Sequence, residues 1–158
     1  MKKIAILTSG GDAPGMNAVL RGVVKLGARR GVQTYGVQRG FEGLIEGDMR
    51  QLTPRDVDVI GGSGGSELGC RRSQVFLTPS GREAAALNLK GFDGLIVVGG
   101  NGSMKGASVF CTETGIPVVG VPASIDNDIG CTSAAIGVDT ALNTIVEACD
   151  RISDTARS

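Results

Sequence analysis

The chain has 158 residues, which is enough for one α/β domain with a hydrophobic core of its own. Lysine and arginine together number 16, as do aspartate and glutamate, so the net charge of zero gives no reason to expect nucleic acid or a membrane as a partner. Histidine is absent, which excludes catalytic sites of the Ser-His-Asp and Cys-His kinds. Glycine is abundant at 26 residues, and this excess indicates many turns or a backbone that approaches a ligand closely.

The first half of the chain alternates apolar runs with amphipathic stretches. Residues 4–7 are predicted to form a buried strand, and apolar residues at helical spacing from Met16 onward predict a helix as far as Gly31. Residues 32–37 are predicted as a second strand. Phe41, Leu44 and Ile45 suggest a helical turn, residues 55–60 a short helix, and residues 61–66 a glycine-rich loop.

The second half continues the same alternation. Residues 80–89 are predicted as a helix that Ser80 caps, with Glu83 three residues later. A strand over residues 94–98, a helix over 103–114, a strand over 118–121 and a last helix over about 139–155 follow. Apolar strands that alternate with helices predict an α/β fold: a doubly wound, mostly parallel sheet with helices on both faces, in three αβα layers.

Cysteine usage and the lack of long apolar segments predict the compartment. No C-x-x-C pair occurs, so we expect free thiols in a reducing environment rather than a zinc site or disulfides. No apolar run approaches the ~20 residues of a membrane span, and the apolar stretch near the amino terminus is too short for a signal peptide. We therefore expect a cytoplasmic protein. The four cysteines are Cys70, Cys111, Cys131 and Cys149.

Each strong strand of this pattern ends in an unusual loop: residues 8–15, 99–103 and 122–128. Ligands bind at the carboxyl ends of strands in a doubly wound sheet, so the three loops are expected at one edge. The first two suit phosphate, because paired glycines expose backbone N–H groups and a helix follows each loop. Neither matches the P-loop or the dinucleotide fingerprint. The alternative is that the glycines only close tight turns.

The third loop carries two carboxylates, Asp126 and Asp128. An extended segment would place both side chains on the same side of the chain. One carboxylate can then accept a proton while the other holds a metal-bound water or the substrate. The alternative is an Asx-type turn in which the side chains satisfy the local backbone.

These loops resemble the signature loops of bacterial-type ATP-dependent 6-phosphofructokinase. The matching segments are residues 10–17 (GGDAPGMN), 99–103 (GGNGS) and 124–128 (SIDND), in the family's order and with its spacing. Residues 64–72 and 139–151 resemble two further family segments. The resemblance covers essentially the whole chain and implies the amino-terminal half of the enzyme. Residues 1–138 would be the ATP-binding lobe, and residues 139–158 a helix that crosses to a second lobe.

The resemblance also implies a site that uses ATP and Mg²⁺ with a sugar phosphate, fructose 6-phosphate. Asp126 would be the base for the sugar 1-hydroxyl, Asp128 would support that hydroxyl or the magnesium shell, and Arg72 would reach the transferring phosphoryl group. Substrate contacts would come from Ser124, Ile125 and Asp126. ATP contacts would come from Gly11, Arg72, Ser73, Gly100, Asn101, Gly102 and Ser103. Gly102 and Ala123 stand where pyrophosphate-dependent relatives usually carry Asp and Lys, which favours the ATP type.

Several positions depart from the family pattern. Asn101 stands where the family has a magnesium-binding aspartate, so the charge that a hard cation favours is lost. Ser73 replaces a common aromatic, while Cys131 and Ser133 replace a glycine and an aspartate. The half with most of the sugar-phosphate arginines is not in this chain. A non-catalytic nucleotide-binding or regulatory paralogue, or an isolated domain, is therefore the alternative function.

The resemblance further implies a nucleotide effector site and a homo-oligomer, usually a tetramer. Arg21 and Lys25, four residues apart on the first predicted helix, occupy positions that resemble basic residues of the family's ADP site. The alternative is ordinary helical surface charge.

Overall fold

A five-stranded sheet forms the middle layer of the fold. The computed structural model describes residues 1–158. The strands are β1 (Lys3–Ser9), β2 (Gln33–Val37), β3 (Met49–Leu52), β4 (Gly94–Gly99) and β5 (Val118–Pro122), in the spatial order β3-β2-β1-β4-β5. Only β3 runs antiparallel to its neighbour. Because the chain leaves central β1 first toward β2 and later returns beside β1 as β4, the predicted doubly wound, mostly parallel sheet is confirmed.

Helices cover both faces of this sheet. On one face, α1 (Met16–Arg29) packs through Met16, Leu20 and Val24 against the side of the sheet that carries Ile6. On the other face, α2 (Gly40–Glu46), α3 (Pro79–Asn88) and α4 (Asn101–Thr114) pack against the side that carries Ala5 and Leu7. Successive β1 residues enter opposite cores because side chains alternate along a strand. The chain therefore buries two apolar layers, one on each side of the sheet.

The structure differs from the predicted elements in three places. Thr78, not Ser80, caps α3: its Oγ1 accepts a hydrogen bond from the Gly81 N–H at 3.1 Å, and Pro79 occupies the first helical position. The short helix expected over residues 55–60 is a 3-10 turn, Pro54–Val57. Strand β3 was not predicted, because it is a polar edge strand whose only buried residue is Leu52.

The last helix, α5 (Val138–Ala156), contains no buried residue. Four of its large apolar side chains are more than half exposed: Leu142 and Ile145 at 57%, Val146 at 58% and Ile152 at 68%. Helix stability in proteins usually comes from packing an apolar face, and most of this face is exposed. Its role as a helix that crosses to a second lobe stays a prediction. No helix in the fold has the length and apolar character needed to traverse a lipid bilayer.

Candidate functional site

The three loops that follow β1, β4 and β5 meet around one cavity of about 500 Å³. This volume lies within the range of small-molecule sites, roughly 300–1,000 Å³. All the residues predicted for ATP, substrate and catalysis line it, whereas Arg21 and Lys25 do not. The predicted residues in its wall are Gly11, Arg72, Ser73, Gly100, Asn101, Gly102, Ser103, Ser124, Ile125, Asp126 and Asp128.

The first loop leaves its backbone open to the cavity. Gly10 has a φ of +92°, and a Cβ built there would lie 3.2 Å from Ser103 Oγ, so glycine is required at this position. Gly11 differs, because a Cβ built there meets no atom within 4 Å. The free space above Gly11 permits a ligand to approach the main chain, which is the arrangement that phosphate binding by backbone N–H groups requires.

The second loop brings β1 and β4 unusually close and then starts a helix. A Cβ at Gly99 would lie 2.4 Å from the Ser9 carbonyl oxygen, so only glycine permits this approach. Helix α4 then begins at Asn101 without a side-chain cap, which leaves its first N–H groups available to an anion. Gly102 is exposed on this first turn with nothing within 4 Å of a built Cβ. In both loops, therefore, a ligand can reach the backbone just before or at the start of a helix.

The third loop has a positive φ at Asn127. Asn127 has a φ of 49°, its Oδ1 accepts from the Ala135 N–H at 3.0 Å, and its Nδ2 donates to the Ser133 carbonyl at 3.3 Å. The expectation of an extended segment is therefore wrong, because Asn127 adopts the left-handed conformation. Asp126 and Asp128 nevertheless line the same cavity, where both are exposed and form no side-chain hydrogen bond or ion pair. The two carboxylates are free for a ligand.

Contacts near this turn also bear on the Asx-turn alternative. The local side-chain turn is made by Ser124, whose Oγ accepts from the Asp126 N–H at 3.2 Å. The Asn127 side chain instead bridges to residues six and eight positions later. The backbone of the loop is thus satisfied by serine and asparagine rather than by the two aspartates.

Arg72 reaches the cavity from a segment that is tied down at several points. Thr8 Oγ1 donates to the Gly69 carbonyl at 3.0 Å, and the Arg39 N–H donates to the Leu68 carbonyl at 2.8 Å. Buried Asn17 accepts from the Glu67 N–H at 2.7 Å. The exposed Arg72 guanidinium forms no ion pair. An exposed, unpaired guanidinium suits an anionic ligand.

One end of the cavity is apolar, and the sequence patterns did not predict it. Phe41 stacks on Phe76 with ring centroids 3.9 Å apart and an interplanar angle of 15°. Leu77 is 64% exposed beside them, and Gly106 of α4 lies against the Phe76 ring, 3.4 Å from a built Cβ. A glycine in mid-helix beside scarce aromatics is the sequence signal that could have indicated this end. The cavity thus combines a polar, glycine-lined end with an apolar wall.

The two basic residues predicted for an effector lie on α1, outside this cavity. Lys25 forms an ion pair with Asp58, whose carboxyl pKa lies below its ordinary value because Lys25 donates a hydrogen bond to it. The Arg21 side chain lies over Gly61, where its Cδ would be 2.3 Å from a built Cβ. The effector role stays a prediction.

The fit of Mg²⁺ depends on oxygen donors. The cavity offers the Asp126 and Asp128 carboxylates and the Asn101 amide oxygen, but no group of three His, Cys, Asp or Glu residues could hold a metal ion. Mg²⁺ commonly keeps several waters and uses one or two carboxylates with substrate phosphates. The donor set therefore fits a magnesium ion that arrives with a phosphate ligand, and does not form a complete protein cage.

Fold and site together define an α/β domain with a loop-lined cavity at the carboxyl edge of a doubly wound sheet. The family model described as Phosphofructokinase matches residues 3–158, and the chain belongs to that family. An ATP-dependent 6-phosphofructokinase of Thermotoga neapolitana is 54% identical over 100% of this chain and 50% of its own length. ATP-dependent 6-phosphofructokinase 1 of Thermus thermophilus is 51% identical, again over 50% of its length. The chain spans about half the length of the curated relatives it matches.

Solved structures agree with this membership. The phosphofructokinase from Saccharomyces cerevisiae superposes with a TM-score of 0.95 at 38% identity, covering 99% of this chain and 24% of that one. A pyrophosphate-dependent phosphofructokinase from Nitrosospira multiformis gives a TM-score of 0.80 over 99% of this chain and 44% of that one. At 20% identity, this second similarity shows the fold alone.

Proposed function

We propose that this chain is the nucleotide-binding half of an ATP-dependent 6-phosphofructokinase, which transfers a phosphoryl group from ATP to the 1-hydroxyl of fructose 6-phosphate. The observation that carries the proposal is the meeting of three family-type loops around one cavity. The two ends of the cavity match the two parts of a nucleotide. The open glycine backbone suits the phosphates, and the apolar wall at Phe76 and Leu77 suits the flat base.

The polar end supplies the groups that phosphoryl transfer needs. Asp126 would accept the proton of the attacking hydroxyl, and Asp128 would orient that hydroxyl or a magnesium-bound water. Arg72 would stabilise charge on the transferring phosphoryl group. Ser124 accepts from the Asp126 N–H, so its hydroxyl proton is free to donate to the sugar phosphate. Ile125, 54% exposed, would flank the same substrate.

The nucleotide would be held by the two glycine loops. Gly11, Gly100, Gly102 and Ser103 would surround its phosphates, and Ser73 would stay a local contact because its Oγ already accepts from the Phe76 N–H at 3.3 Å. Bound Mg²⁺ would neutralise phosphate charge, held by the phosphates with help from Asp128 and the Asn101 amide oxygen. The small residues at Gly102 and Ala123 leave room for ATP rather than pyrophosphate alone.

Calorimetry with ATP or ADP tests nucleotide binding. We expect sub-millimolar to millimolar affinity, with thermal stabilisation that follows RT ln(1 + [L]/Kd). Gly102→Ala should weaken binding severalfold, because its methyl group would enter the free space on the first turn of α4. Gly62→Ala is the matched control, since its Cβ also meets no atom within 4 Å but it lies outside the cavity. No heat and no thermal shift at ~10 mM nucleotide would contradict the proposal.

A second candidate function is a nucleotide-binding or regulatory protein without catalysis. Asn101 favours it, because the neutral amide lowers the negative charge available to magnesium. A fusion of this chain to the second half of the Thermotoga neapolitana relative distinguishes the two. The enzyme proposal predicts phosphorylation of fructose 6-phosphate by the fusion, and the regulatory alternative predicts nucleotide binding alone. We expect a cytoplasmic homo-oligomer from the complete protein, with an effector at Arg21 and Lys25 as a further hypothesis.

A further inference from the structure

A buried arginine side chain, Arg82, lies next to the apolar wall of the cavity. Arg82 of α3 is 8% exposed and forms two hydrogen bonds with Glu113 of α4: Nε to Oε2 at 2.5 Å and Nη2 to Oε1 at 2.8 Å. Arginine is rarely buried unless it is paired, and this two-point geometry is the strongest form of such a pair. Neither residue lines the cavity, so neither contacts a ligand there.

The same guanidinium also holds the backbone of the wall. Arg82 Nη1 donates to the Phe76 carbonyl at 3.1 Å and to the Leu77 carbonyl at 2.7 Å. These are the last two residues of the 3-10 turn Val75–Leu77, whose terminal carbonyls have no partner within the turn itself. Arg82 therefore fixes the part of the chain that places the Phe76 ring and the exposed Leu77 side chain.

Glu113 connects this wall to the other end of the cavity. It lies near the carboxyl end of α4, the helix whose first turn carries Asn101 and Gly102. The middle of the same helix contributes Gly106, against which Phe76 packs. A single rigid helix thus carries the phosphate-side backbone at its start and an anchor for the base-side wall near its end.

We infer that Arg82 and Glu113 are positioning residues that hold the apolar wall in a fixed place relative to the two glycine loops, residues 8–15 and 99–103. They thereby set the affinity for the nucleoside part of a nucleotide but not the affinity for its phosphates. The inference rests on the proposed nucleotide binding. Loss of the pair frees the 3-10 turn, so Leu77 and Phe76 no longer offer a fixed surface to a base. The glycine loops keep their own contacts, and inorganic phosphate chains should bind as before.

The test compares ATP with inorganic tripolyphosphate, which carries the phosphates without a nucleoside. In Arg82→Met we expect ATP affinity to fall roughly tenfold while tripolyphosphate affinity stays within about twofold. Arg82→Lys should restore little, because a single ammonium cannot bridge Glu113 and two carbonyls at once. Glu113→Gln should lower the affinity for ATP by roughly threefold, and it is the second variant if Arg82→Met does not fold.

Val24→Ala is the matched control for stability. Val24 is 1% exposed in the core on the opposite face of the sheet, so this change should lower the melting temperature without moving the wall. Its ratio of ATP to tripolyphosphate affinity should equal that of the wild type. Equal losses for both ligands in the Arg82 or Glu113 variants, or no loss for either, overturn the inference. A wild-type chain that binds neither ligand instead overturns the proposed function, and the inference with it.

Discussion

Two regions of the domain differ in how many of their groups find partners within the chain. At the loop edge, formed by residues 8–15, 99–103 and 122–128, glycine contacts and the Asn127 side chain fix the backbone from within. At the open side, formed by β5 and α5, Val119 is 60% exposed and no residue of α5 is buried. The conformation of the loops around the cavity is therefore fixed by contacts within this chain. The position of α5 is not fixed in this way.

The loop edge also shows why free polar groups matter. The backbone of the third loop is satisfied by Ser124 and Asn127, which leaves Asp126 and Asp128 without protein partners. At the open side the unsatisfied surface is apolar instead. An unpaired carboxylate in a cavity indicates ligand chemistry, while exposed apolar helix faces indicate packing.

The largest expected effect breaks the chemistry at the loop edge. In the fusion with the second half of the relative, Asp126→Asn should lower kcat by roughly 10²–10⁴ and leave ATP affinity nearly unchanged, as loss of a general base does. The 158-residue chain should have no measurable kinase activity by itself, because it spans only about half the length of its relatives. A coupled assay of ADP release measures both. Wild-type kcat in the Asp126→Asn fusion would show that Asp126 is not the base.

The second prediction contrasts packing on the two sides. Phe110 of α4 is fully buried in the core that the sheet shares with α2, α3 and α4, so Phe110→Ala should lower the free energy of unfolding by about 3–5 kcal/mol. Ile145→Ala on α5 should change it by less than about 0.5 kcal/mol, because Ile145 is 57% exposed. Urea denaturation of both variants measures the difference. A large loss from Ile145→Ala would mean that α5 packs on this domain in solution.

The third prediction sharpens the metal question at the loop edge. Asn101→Asp adds one negative charge at the start of α4, and it should strengthen the magnesium dependence of ATP binding about tenfold, on the order of 1.4 kcal/mol. Asn143→Asp adds the same charge on exposed α5, away from the cavity, and should have no such effect. Titration of ATP binding against magnesium concentration is the measurement. An unchanged dependence in Asn101→Asp would place Asn101 away from the metal.

Much of this fold could be predicted because its strands carry continuous apolar runs. β1, β4 and β5 are visible in the sequence since each is bounded by glycine or polar loops, and their parallel order follows from the helices between them. β3 was missed because a polar edge strand carries almost no burial pattern. The Thr78 cap was missed because Ser80 offers an equally good pattern, and only the Pro79 position distinguishes the two.

The site was predictable where glycine and aspartate stand close in sequence, and not where distant segments meet. The apolar wall joins Phe41, Phe76 and Gly106, which are about 30 residues apart along the chain. The Arg82 to Glu113 pair is equally non-local. Asn127 was misjudged because spacing alone does not report a left-handed residue, although asparagine is among the few residue types that adopt that conformation readily.

The smallest expected effect is a pH dependence of stability. In the folded protein the pKa of Glu113 lies below its ordinary value of 4.5, because Arg82 donates hydrogen bonds to its carboxylate. The unfolded chain therefore takes up this proton at a higher pH than the folded one. The stabilisation is complete above the unfolded pKa and is lost as the pH falls through the folded pKa.

The measurement is the melting temperature of wild type and Glu113→Gln between about pH 7 and pH 3. The wild type should melt higher at neutral pH, and the gap should narrow as the solution becomes acidic, because protonated Glu113 resembles the glutamine. Glu83→Gln removes an exposed carboxylate that forms no ion pair, and its curve should follow the wild type. A gap between wild type and Glu113→Gln that stays constant with pH would mean that the ion pair with Arg82 does not form in solution.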